Sequence, residues 1–126
     1  MPMSFRHQAF LAALLGALAV AFGAFAAHGI ADPYAAELVR RGAQYHMAHA
    51  IAAFAALAMW RWGAARARFV APILFAGICL FSGSLYALAF GAPKWAGLIT
   101  PIGGTLFVVG WGVLACAALG LPRRPD

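Results

Sequence analysis

Four runs of about twenty apolar residues, each closed by a short basic or polar segment, leave this chain few folds to choose from. A helix that crosses a bilayer needs roughly 20 mainly apolar residues, because hydrocarbon offers no water to satisfy exposed backbone groups. The runs fall at about 8–27, 43–60, 69–90 and 100–119, and with their connections they consume the 126 residues. Only 10% of the residues are charged, against about 25% in a soluble domain. The expected fold is therefore all-α and integral to the membrane. It is a four-helix transmembrane bundle forming one domain over 1–126, with a short interfacial helix at about 33–41 between the first two spans.

The net charge of +6 does not point to nucleic acid, because the basic residues sit in small clusters between the apolar runs and so read as topology markers. Arg6, Arg61, Arg66, Arg68, Arg123 and Arg124 fall on one side; Arg40, Arg41 and Lys94 fall on the other. The positive-inside rule then places both termini and the 61–68 loop in the cytoplasm. The first run follows Arg6 and contains Ala24-Phe25-Ala26, the outline of a leader cleavage site. At about 20 residues it exceeds the 7–15 of a leader core and is expected to be a retained span.

Local signals mark the boundaries. Asp32-Pro33 is a helix start, with Asp as cap and Pro in the first turn. Tyr34, Leu38 and Val39 share a face suited to the interface, and Gly42 is expected to separate that helix from the second span. Thr100-Pro101 should open the fourth span with Thr as cap, and Gly120 and Pro122 should close it. Ala9, Ala13, Ala17 and Ala21 make a small-residue stripe on the first span, beside Ala12, Gly16 and Ala24. Such stripes let helices approach closely, so this one is expected to pack within the molecule.

With this topology the polar residues gather at one depth. His28 ends span one; Gln44, Tyr45, His46 and His49 open span two; Ser82, Ser84 and Tyr86 fall near the end of span three; Thr100 opens span four. At 1.5 Å per residue they share a layer about 12 Å deep at the outer side. Intramembrane polar residues are site candidates, so these nine are the expected ligand-binding set. His46 and His49, spaced i and i+3, can also present two imidazoles to a metal or haem. A third reading is interhelical hydrogen bonding alone.

The absences narrow the chemistry. No Asp or Glu lies inside a span, which argues against a proton relay or cation-coupled transport. Cys79 and Cys116 differ in depth by roughly 12 Å, too far for a disulfide. Asp32 and Asp126 lie on opposite sides, so no Ser–His–Asp set forms, and catalytic residues are not expected. Gly103-Gly104 lacks the Lys and Ser/Thr of a phosphate loop and reads as a close-packing site.

Four ordered motifs carry a resemblance. Gly23 to Gly29 (GAFAAHG), Gln44 to Ala50 (QYHMAHA), Phe81 to Tyr86 (FSGSLY) and Ile99 to Gly104 (ITPIGG), followed by Gly110-Trp111, resemble the domain-of-unknown-function 423 family, the YgdD-like small inner-membrane proteins. Where that family often has a second glycine this chain has Ala26. The resemblance implies four membrane helices and a bacterial inner-membrane location, and supplies no activity or cofactor. The expected function is a non-enzymatic, multi-pass membrane protein whose outer polar cluster binds a small ligand or lipid, or docks a partner protein. The alternatives are a redox accessory protein holding metal, haem or quinone, and a structural subunit or assembly helper of a larger complex. Expected partners are membrane lipid and another membrane protein or a second copy.

Overall fold

The computed structural model describes residues 2–123; Arg124 and Asp126 lie outside the described residues. The chain forms four helices, α1 (Phe5–His28), α2 (Pro33–Arg61), α3 (Val70–Ala89) and α4 (Thr100–Ala118), and no strand among the described residues. Short 3-10 turns at Ala65–Phe69 and Lys94–Leu98 lead into α3 and α4. Gly63 and Gly91 take positive φ (106° and 97°) at the two sharp reversals between α2 and α4, a conformation that costs glycine little.

Side-chain pairs fix the order of the bundle. Phe5 meets Trp60 while Gly23 faces Ala43, so α1 and α2 run antiparallel. Along α4, positions 103 and 110 face Phe81 and Leu74 of α3, again antiparallel. Three helical segments are long and apolar enough to cross a membrane: α1, α3 with its leading turn (Ala65–Ala89), and α4 with its leading turn (Lys94–Ala118). α2 lies lengthwise against α1 and α3, but its first third carries Glu37, Arg40 and Arg41.

The main core joins Ala12 of α1, Ala52, Ala53 and Ala56 of α2, Leu74, Phe75 and Ile78 of α3, and Phe107 and Leu114 of α4. Large apolar residues also cover the outside, including Phe10, Leu14 and Val20 on α1 and Val108 and Val109 on α4. An outer shell of this kind is what a lipid-facing bundle requires.

Three expectations are corrected. The short interfacial helix at 33–41 is not a separate element, because Pro33–Arg61 is one helix of 29 residues. Gly42 is buried and does not break it. Its missing side chain is filled by the Tyr86 ring, which a Cβ would approach to 2.6 Å. Tertiary packing thus outweighs the weak helix propensity of glycine. Asp32 does cap the helix, accepting from Ala35 N at 2.9 Å.

Thr100 is not a cap either. It is the first helical residue, α4 has no side-chain cap, and the Thr100 hydroxyl instead meets Ser84 of α3. On α1, finally, the packed stripe is Gln8, Ala12, Ala19 and Ala26. Ala13, Ala17 and Ala21 of the expected stripe are exposed. Alanine surrounds this helix, so only the position of α2 decides which face is covered.

Candidate functional site

The polar residues of the outer layer form separate clusters in the structure. The first lies among α1, α2 and α3. The Ser82 hydroxyl donates to the Gly42 carbonyl at 2.7 Å, and His46 Nδ1 lies 3.0 Å from the Tyr86 hydroxyl. The Tyr86 ring stacks on Phe22 with centroids 3.9 Å apart. Ser82, His46 and Tyr86 are all buried. Each bond joins α2 to α3, and in membranes such bonds contribute roughly 0.6 kcal/mol each. His46 Nε2 is buried without a protein partner.

The second cluster joins α3 to α4 through the Ser84 and Thr100 hydroxyls, 2.6 Å apart; Ser84 also donates to the Phe81 carbonyl.

The third is centred on His49, between α2 and α4. Nδ1 lies 2.6 Å from the Tyr45 carbonyl, one turn back on the same helix. A carbonyl only accepts, so Nδ1 carries the hydrogen. Nε2 then accepts from the Trp111 indole N–H at 3.2 Å. Both ring nitrogens are engaged, and the tautomer is set by its two partners. The imidazole lies flat on Phe107, with ring centroids 3.5 Å apart and planes 7° from parallel.

Around His49 opens a groove of about 580 Å³, walled by Gln44, Tyr45, Ala48, Phe81, Gly104, Phe107, Val108 and Trp111. Its volume is that of a small-ligand site. Its walls are aromatic and aliphatic, with the Gln44 amide and Tyr45 hydroxyl as the polar groups not already engaged in contacts between helices. Tyr45 and Trp111 are each about half exposed, at 45% and 50%, so the groove opens sideways toward lipid.

The structure therefore brings together Gln44, Tyr45 and His49, but not the full expected set. His46 and His49 go to different partners, Tyr86 and Trp111. An i, i+3 pair is offset by about 60° around a helix, enough here to send one ring toward α3 and the other toward α4. Among the described residues, no group of three or more His, Cys, Asp or Glu comes together. His28 is exposed at the end of α1. Ser82, Tyr86, Ser84 and Thr100 hold helices together away from the groove walls. Cys79 and Cys116 are both free.

Sequence reasoning did not single out Trp111, Phe107 and Phe81 as site residues. The signal available was spacing: Phe107 and Trp111 are i and i+4, one face of α4. It also passed over Gln8. This residue is 1% exposed and donates through Nε2 to the carbonyls of Met3 and Arg68.

A profile of the family described as "Protein of unknown function (DUF423)" matches residues 22–104. Among curated proteins, the chain is 46% identical to a UPF0382 membrane protein of Haemophilus influenzae, over 83% of this chain and 87% of that protein. It is 42% identical to the UPF0382 membrane protein YwdK of Bacillus subtilis, over 86% and 93%. The UPF0382 inner membrane protein YgdD of Escherichia coli K12 is 34% identical over 97% and 96%. No solved structure matches the chain.

Proposed function

This chain belongs to the DUF423 family of membrane proteins, and on that premise we propose that the groove between α2, α3 and α4 binds an uncharged, mainly apolar ligand taken from the bilayer. The observation that carries this reading is the groove itself: about 580 Å³, aromatic-walled and open to the side. Flat rings favour stacking with an unsaturated or cyclic ligand. The Gln44 amide and Tyr45 hydroxyl then orient its polar end. His49 is a positioning residue that holds Trp111 against the groove.

The protein is read as non-enzymatic. His49, the imidazole of the groove wall, has both nitrogens committed to structural bonds, which leaves it no free nitrogen to act as a base. The same commitment removes support from the metal or haem alternative. The arginine clusters support an inner-membrane orientation with both termini and the 61–68 loop in the cytoplasm, so the groove opens toward the outer leaflet.

Lipid and small-molecule extraction from purified protein tests the reading. Gly104→Leu projects a side chain into the groove, where a Cβ lies 3.7 Å from the Phe81 ring and is tolerated. Wild type should retain an apolar species that this variant loses while remaining folded. Identical extracts from the two proteins would end the proposal.

A further inference from the structure

The opposite end of the bundle holds a second cavity, of about 440 Å³, with Ser4, Gln8, Trp60, Arg68 and Phe69 in its wall. Gln8 fixes its chemistry. Both amide hydrogens are spent on carbonyls, Met3 at 3.0 Å and Arg68 at 3.2 Å. A carbonyl accepts only, so the amide cannot be flipped. That leaves Gln8 Oε1 buried and without a partner, an acceptor waiting for a donor.

The charge at this end is equally one-sided. Arg61 lies over the Phe5 ring at 5.6 Å and Arg68 over the Phe69 ring at 4.6 Å. Among the described residues, the carboxylates are Asp32 and Glu37, both at the far end, where Glu37 meets Arg40 and Arg41. No described carboxylate balances the arginines here. The 24-residue α1 also directs the positive end of its dipole toward this corner. Trp60 and Phe69 supply an apolar wall beside the charge.

We propose that this cavity is a phospholipid headgroup site, in which the Arg68 guanidinium binds the phosphate diester. Gln8 Oε1 accepts from an N–H or O–H on the same headgroup, directly or through one water. The ligand class is a phosphoethanolamine or phosphoglycerol lipid. A phosphocholine lipid has the phosphate but no donor, and the site discriminates against it. This site is separate from the groove of the proposed function, and neither depends on the other.

Native mass spectrometry of the full chain, released from an equimolar mixture of lipids with identical acyl chains, tests the assignment. Phosphatidylethanolamine and phosphatidylglycerol should be retained over phosphatidylcholine by about threefold or more, the effect of a single hydrogen bond in a membrane. Retention should hold while the ethanolamine nitrogen keeps an N–H and fall at the last methylation, which removes the final donor. Arg68→Gln should lower retention of all three lipids, and it keeps the Gln8 strut because that bond uses the residue 68 backbone carbonyl. Gln8→Leu should erase the headgroup preference. If that variant fails to fold, the methylation series on wild type still decides. Equal retention of phosphatidylcholine by wild type overturns the proposal. So does unchanged retention in Arg68→Gln, or displacement of the lipid by equimolar free glycerol phosphate. Gly104→Leu should leave the preference intact, which separates failure here from failure of the groove.

Discussion

At the scale of single residues, two adjacent glycines have opposite meanings. A Cβ on Gly103 would lie 2.7 Å from Phe81 Cα, against backbone that cannot yield, whereas one on Gly104 meets only a ring edge at 3.7 Å. Gly103→Ala should therefore destabilise the bundle by about 1–3 kcal/mol, as overpacked sites do. Gly104→Ala should stay within about 0.5 kcal/mol. Unfolding in mixed detergent micelles measures both. Trp111→Phe keeps the aromatic wall but removes the donor to His49 Nε2, at a cost of roughly 0.6 kcal/mol. Imidazole nitrogen shifts should show Nε2 of His49 losing its bond while Nδ1 stays protonated. The sequence disclosed that Gly103-Gly104 was a packing site, but not which glycine bears the contact. That distinction depends on the register between α3 and α4, which no local pattern encodes.

At the scale of the helix, α2 shows how local and tertiary signals divide. Asp32 and Pro33 announce its start correctly because a cap acts on its own first turn. Asp32→Ala should cost about 1 kcal/mol, read in the same unfolding assay. Gly42 suggested a break because glycine propensity is also local. The ring of Tyr86, 44 residues further along, overrides it. Amide hydrogen exchange should accordingly show unbroken protection from about Leu38 to His46, with no fast-exchanging hinge at Gly42. The faces of α1 were illegible for a related reason. A helix with alanine on every side has no moment to orient it, so the buried stripe at Gln8, Ala12, Ala19 and Ala26 follows from its neighbours.

At the scale of the whole molecule, the charge-poor spans and basic loops disclosed the class, the helix number and the expected orientation. The grouping of polar residues needed the three-dimensional order of the helices. Depth along the membrane is readable from residue count, but azimuth around the bundle axis is not. His46, His49, Ser82 and Tyr86 share a depth and still divide among different helix pairs. Orientation has a direct check. In a variant with Cys79 and Cys116 replaced, a membrane-impermeant maleimide applied outside intact cells should label a cysteine placed at Ala92. It should not label one placed at Gly63. The reverse pattern would invert the assignment.

The Gln8 strut bears on the order of events at the translocon. Its amide, near the start of α1, bonds a carbonyl 60 positions later in the chain. The first helix therefore enters the bilayer with that bond unmade and acquires it only after α2 has followed and the 3-10 turn has emerged. Ribosome-arrested chains ending before residue 68 should hold α1 loosely, and chains long enough to expose that turn should hold it fast.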